Sequence, residues 1–189
     1  MDRYLSGVIA AAVLAVAGCV TTGEVIYVQR VVDLSWNDLD YDYAAGDISS
    51  KMLHYVSGRA SVEGRLPVIV NGPVIRLDNA PNNIDRELLM ELIRAEVMRS
   101  GYAEFSFATS ESRRGGDAGM LYKMLEAQNE SGVFDPETVK GYGSMVSADY
   151  ILFGKIFLPD NSTTWRISFS VIDVETGKGK WSDNTRIVK

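Results

Sequence analysis

Residues Thr163 to Val174 alternate with a period of two. Trp165, Ile167, Phe169 and Val171 fall on one side, and Arg166, Ser168 and Ser170 on the other. A strand with one apolar and one polar face must lie in a sheet that buries a single face there, so a purely helical fold is excluded. Glu175-Thr176-Gly177-Lys178 follows as a hairpin turn, and Lys180 to Val188 returns as the last strand. Upstream, Asp149 to Leu158 is dense and apolar, which suits a third strand. These strands predict an antiparallel meander at the C-terminal end.

The preceding stretch reads as helices and strands in alternation. Val25 to Val32 is rich in β-branched residues and suits a short strand. Trp36-Asn37-Asp38 opens a polar turn, with Asp40 and Asp42 supplying cap chemistry. Leu39, Ala44, Ile48, Met52, Tyr55 and Val56 then recur at helical spacing, giving a helix over 45–57 with Gly58 as its C-cap. Leu66 to Leu77 is an apolar β-type run interrupted by Asn71-Gly72-Pro73, where a hairpin or a bulge is equally consistent. Asn82 or Asn83 is expected to cap a helix whose apolar face is Ile84, Leu88, Leu89, Leu92, Ile93, Val97 and Met98, ended by Gly101. Tyr102 to Ala108 suits a strand, and Thr109 to Asp117 a loop. Met120 to Asn129 suits a helix, and Asp135-Pro136-Glu137-Thr138 starts another that runs to Val146. The order βα, βα, α, βββ predicts an α/β fold of α+β character. Its mixed sheet has about four to five strands, is parallel in part, ends in the antiparallel meander and is flanked by helices.

The N-terminus restricts location. Met1-Asp2-Arg3 precedes an apolar or small run from Leu5 to Ala17, broken only by Ser6. A spanning helix needs about 20 apolar residues, so the run fits the core of a signal peptide instead. It ends Val16-Ala17-Gly18-Cys19, which resembles the bacterial lipobox: an aliphatic and two small residues before a cysteine. Cleavage before Cys19 would leave about 170 residues, enough for one domain with a real core. Cys19 is the only cysteine, so an internal disulfide is excluded. Its thiol is the expected lipidation site, and several acyl chains on one anchor hold a protein firmly to a membrane. Val20 follows it, where an Asp would signal inner-membrane retention in enterobacteria, so the periplasmic face of the outer membrane is expected.

No catalytic constellation emerges from the residues. His54 is the single histidine and falls mid-helix. Nucleophilic catalysis needs a base oriented by a third group, and the usual zinc sites need more nitrogen or sulfur ligands than one His and a lipidated Cys supply. Asp38, Asp40 and Asp42 alternate as in a calcium loop. Counted from Asp38, however, the positions that require Gly and Glu hold Tyr43 and Ser49. Gly141-x-Gly143 lies inside a helix rather than at a strand-to-helix turn, so it is not a dinucleotide fingerprint. Asn129-Glu130-Ser131 and Asn161-Ser162-Thr163 match glycosylation sequons by chance. The three tryptophans, Trp36, Trp165 and Trp181, read as core or sheet anchors rather than cofactor contacts, and an exposed one would be an interface candidate. A net charge of -6 with no basic block excludes a general nucleic-acid binder. Arg113-Arg114, the one adjacent basic pair, is followed by two glycines and reads as a solvated loop. No catalytic, metal or cofactor residue is expected, and no small-molecule substrate.

The pattern over residues 35–186 resembles the LpoB-type penicillin-binding-protein activators, which are outer-membrane lipoproteins. The resemblance starts at Trp36-Asn37 and Ser50-Lys51-Met52-Leu53. It continues through Leu92-Ile93-Arg94-Ala95, Ser100-Gly101 and Phe105-Ser106-Phe107. Its most specific segments are Ser147-Ala148-Asp149-Tyr150-Ile151-Leu152-Phe153 and Val174-Glu175-Thr176-Gly177, which leads to Lys180-Trp181-Ser182. It implies a small sheet flanked by helices and a non-enzymatic role. That role is to bind a class A penicillin-binding protein, a bifunctional peptidoglycan synthase, and to stimulate it. The best-known members carry a long Pro-rich linker after the cysteine. Here Cys19 lies 17 residues from Trp36, a reach of at most roughly 60 Å when fully extended.

The expected organisation is a signal peptide over 1–18, a lipidated tether with a possible strand over 19–34, and a periplasmic α/β activator-like domain over 35–189. An oligomeric envelope component, akin to curli-pore or flagellum-associated lipoproteins, is the second reading. A hydrolase built on His54 is the third.

Overall fold

Five strands form one mixed sheet in the order β2-β1-β3-β4-β5. The computed structural model describes residues 33–77, 84–106, 116–160 and 162–189. In chain order the elements are α1 (Asp38–Glu63), β1 (Val68–Arg76), α2 (Arg86–Ser100), β2 (Glu104–Ser106), α3 (Gly116–Ser131), α4 (Pro136–Met145), β3 (Tyr150–Phe157), β4 (Thr164–Asp173) and β5 (Gly179–Val188). β1 runs parallel to β2 and β3, while β3, β4 and β5 form the antiparallel meander. The mixed sheet is as expected, and Leu34–Lys189 packs as one unit. The expected strand over 25–32, the caps Asn82 and Asn83, and Arg113-Arg114 lie outside the described residues.

Each face of the sheet carries its own core. On the first, α1 and α2 bury Ile48, Met52, Leu89, Ile93 and Val97 against Ile69, Leu152, Ile156 and the apolar set of β4: Trp165, Ile167, Phe169 and Val171. The second core sets Leu125 of α3 and Val139 and Tyr142 of α4 against Val70, Ile151, Phe153 and Ile172. β1 is therefore covered on both sides, and seven consecutive residues of it are buried. A strand enclosed in this way reads as a continuous apolar run rather than an alternating one.

Three local expectations change. α1 runs well past 57, and Gly58 is a mid-helix residue; the left-handed backbone that follows a helix falls at Gly64 (φ 68°). The cap of α2 is Asp85, whose carboxylate accepts from the Leu88 amide at 2.9 Å. The buried stripe of α2 is Leu89, Met90, Ile93 and Val97, while Leu88 and Met98 are exposed. An apolar face read from spacing is wider than the strip that a neighbouring layer covers. Asp135 caps α4 and Gly101 ends α2, both as expected.

Asn71-Gly72-Pro73 makes a bulge within one strand, not a hairpin. The pairing of β1 with β3 slips between Asn71 and Val74, so three steps on β1 match two on β3. The Pro73 and Gly154 carbonyls lie at the slip. Asn129 of α3, only 2% exposed, donates from its side-chain amide to both at 3.1 Å. A buried carbonyl without a donor is costly, so this side chain is what makes the bulge tolerable. Its burial also rules out the Asn129 sequon as a glycan acceptor in the folded chain.

Replacing Asn129 with Leu keeps the volume but removes its bonds to both carbonyls. We expect a loss of about 2 kcal/mol, read as a fall in Tm of roughly 4–8 °C by circular dichroism. An unchanged Tm would show that the bulge does not depend on this residue.

Candidate functional site

The residues singled out from the sequence do not converge. Cys19 lies outside the described residues. His54 is exposed on α1 and lines neither of the cavities described below. Asp38 and Asp40 lie in the first turn of α1. Asn37 and Asp40 cap that helix reciprocally: the Asp40 carboxylate accepts from the Asn37 amide at 2.8 Å, and the Asn37 side-chain oxygen from the Asp40 amide at 3.1 Å. Asp40 also holds the Lys189 ammonium, which ties the end of β5 to the start of α1. Among the described residues, no group of three or more His, Cys, Asp or Glu side chains is placed to hold a metal ion. No described helix is long and apolar enough to cross a membrane.

Trp165 is fully buried and donates from its indole nitrogen to the Leu34 carbonyl at 3.0 Å. Trp36 packs edge-on against it at 6.2 Å and against Tyr41 at 5.0 Å, and the Arg76 guanidinium lies over the Trp165 ring. This cluster fixes where the chain enters the domain. Tyr41 extends it to α2, because its hydroxyl accepts from the Asp85 amide at 2.7 Å.

The two segments most specific to the family resemblance do converge. Asp149-Tyr150 and Val174-Glu175 line one cavity of 510 Å³ at the entrance to β1 and β3, together with Arg59, Arg65, Lys140 and Asp173. Asp149 is its hub. The Arg65 guanidinium grips the carboxylate with two bonds of 2.7 and 2.6 Å, and the Val68 amide donates to it at 2.8 Å. The Asp149 amide donates to the Val68 carbonyl, and its carbonyl accepts from Val174. One residue thus joins β1, β3 and the β4–β5 turn. The Arg65 bond, aided by the Val68 amide, outweighs burial and holds this carboxyl below its usual range. Nearby, burial pushes Asp173 up, but bonds from Thr176 and the charge of Lys180 more than reverse it. The Tyr150 hydroxyl accepts from Arg59 at 3.2 Å.

Glycines seat α4 on this corner. A Cβ at Gly143 would collide with the Val174 side chain, and one at Gly177 (φ 65°) would lie 2.7 Å from Pro136 Cα. Gly143, set aside above as a nucleotide signal, is there for close packing. The family-like segments therefore do structural work.

A larger groove of 710 Å³ lies across the second face of the sheet, between the α3–α4 connection and β5. Its floor is Ser168 and Ser170 of β4, its wall Phe134 packed at a tilt on Phe153 with ring centres 4.4 Å apart, and Lys155 and Lys180 flank it. Ser168 and Ser170 lie on the polar side of β4, as its alternation predicts. Periodicity alone does not reveal that α3 and α4 stop over β3, so that no described helix covers that side. The alternation itself carried the signal, since a sheet face hidden by a helix would not be polar. Hydroxyls and ammonium groups on an open floor suit recognition of a polar partner.

The folded carboxyl of Asp149 is depressed, so its stabilisation is complete above the unfolded value near 3.9 and is lost as pH falls through the folded value. Asp149→Asn is expected to cost on the order of 2 kcal/mol at pH 7. The gap to wild type should narrow as pH drops below about 4 in urea melts. A gap that stays constant from pH 7 to 2.5 would remove the charge from the explanation.

Residues 40–187 match the family described as peptidoglycan-synthase activator LpoB. No curated protein sequence matches the chain at a significant level. Among solved structures, the LpoB C-terminal domain from Escherichia coli is 18% identical, with 79% of this chain and 99% of that one covered and a TM-score of 0.50. The corresponding domain from Salmonella enterica is 16% identical at the same coverages, with a TM-score of 0.49. At such identities the E. coli likeness speaks for the fold. The family match spans nearly all of the folded unit, and the chain belongs to the LpoB family of peptidoglycan-synthase activators.

Proposed function

We propose that this chain is a lipid-anchored periplasmic lipoprotein that binds a class A penicillin-binding protein and stimulates its synthesis of peptidoglycan. The observation that carries this reading is the match of residues 40–187 to the activator family, which covers the domain from the first turn of α1 to the end of β5. Two features of the domain agree with a binding role. Its charged corner is engaged in struts between strands, and the groove on its second sheet face is lined by hydroxyls and ammonium groups.

Stimulation without chemistry requires differential affinity. The activator has to bind the active conformation of the synthase more tightly than the resting one. A tenfold rise in the active population needs a differential of about 1.4 kcal/mol, which a few interface contacts supply. The anchor belongs to the same reading. Cys19, at the end of the lipobox-like Val16-Ala17-Gly18, would carry the lipid and hold the domain at the periplasmic face of the outer membrane. The short spacer then keeps Trp36, where the domain begins, within roughly 60 Å of the anchor.

The test pairs the purified lipoprotein with a class A synthase and follows glycan-chain polymerisation. We expect a several-fold faster rate that saturates with activator, and an unchanged rate at saturation rejects the reading. Cys19→Ala should abolish acyl labelling in cells and release the protein from the membrane fraction. The same variant should still stimulate the synthase when both are free in detergent. Continued membrane retention of Cys19→Ala would place the anchor elsewhere.

A further inference from the structure

The charges of β3, β4 and β5 are sorted by face. Register places Lys155 opposite Ser168, Arg166 opposite Arg186, and Asp183 opposite Phe169. Lys155, Arg166 and Arg186 therefore point to the second face; Lys180, in the bulge of β5, lines the groove but also reaches Asp173 at the end of the sheet. The carboxylates of the same strands, Asp173 and Asp183, fall on the first face with α1 and α2. The three strands give the second face cations and no anion, in a chain whose net charge is -6.

Two of these cations oppose each other directly. Arg166 and Arg186 are cross-strand partners on one exposed face, an arrangement that is repulsive in the free domain. Neither these two arginines nor Lys155 has an ion-pair partner among the described residues, whereas Lys180 faces Asp173 at 3.6 Å. Protecting a sheet edge from aggregation is a common use of such charges. That use explains Arg186 on the edge strand β5, but not Arg166 on β4 or Lys155 on β3, which are interior strands. Val188 and Phe157 adjoin the arginines on the same face. Arginine beside apolar and aromatic groups is a composition enriched at protein-binding surfaces.

We propose that the uncovered face of β3–β4–β5, centred on Arg166 and Arg186, is the docking surface for an acidic segment of the partner synthase. The inference rests on the proposed function and adds the contact surface and the charge of what it meets. Carboxylates of the partner would neutralise the facing guanidiniums, so binding relieves a repulsion built into the free domain. Guanidinium–carboxylate pairing also gives the complex its register.

The test uses the full lipidated chain in detergent and a purified class A synthase, with affinity measured at low and moderate salt. Wild type should bind, and its affinity should fall steeply with salt. Arg166→Glu with Arg186→Glu should weaken binding more than tenfold. Arg166→Gln with Arg186→Gln should weaken it several-fold while its Tm equals or exceeds that of wild type, because the repulsion is gone. That pairing of weaker binding with undiminished Tm is what a merely structural role would not produce. If the Glu variant does not fold, the Gln variant decides. Full affinity in a folded charge variant, or arginine-dependent binding to isolated peptidoglycan with synthase binding unaltered, overturns the proposal while leaving the activator role intact. Failure of wild type to bind the synthase rejects the activator role itself, and this surface with it.

Discussion

The Asp149 carboxylate holds the architecture at its one awkward place. β1 and β3 are parallel neighbours, yet about seventy residues separate them in the chain, and they start side by side only if something fixes their first pairs. Arg65 and the Val68 amide meet one carboxylate there, and the Asp149 backbone closes the ladder on both flanks. Charge-assisted bonds of this kind are stronger than neutral ones, and two parallel bonds also set an angle. The register so fixed carries on along β3 to β4 and β5, and with it the choice of which side chains meet which core.

A second constraint is the bulge at Asn71–Val74. It lets β1 carry a proline in the middle of a covered sheet, where a missing amide would ordinarily break the ladder. Asn129 repairs the break from α3, so the packing of that helix and the irregularity of the strand depend on each other. At the other end, α4 rests on Val174 through Gly143 and on the β4–β5 turn through Pro136 and Gly177. α3 and α4 are thereby held over β1 and β3, and the second face beyond them stays open. The exposed arginines of β4 and β5 follow from that placement.

Much of this was legible in residue patterns. The alternation in β4 indicated a half-open strand, and Asp135-Pro136 announced a helix start. The resemblance of Ser147–Phe153 and Val174–Gly177 to the activator family pointed to the fold and to the role of the family. What escaped was local. Asp85, not an asparagine upstream, caps α2, because several polar residues in a row all offer acceptors and only the geometry selects one. Gly58 sits inside α1 because a glycine weakens a helix by only about 1 kcal/mol, which packing offsets.

By itself, the sequence determined the mixed sheet, its antiparallel end, the helices that flank it and the family to which the chain belongs. Periodicity and turn chemistry act over a few residues, so they survive without knowledge of neighbours. Only the tertiary structure decided that Asp149 and Val174 meet at one corner and that Asn129 repairs a bulge. It also decided that Arg166 faces Arg186 on a bare sheet. Each of these joins residues distant in the chain, and the register that brings them together is set by the packing of whole elements.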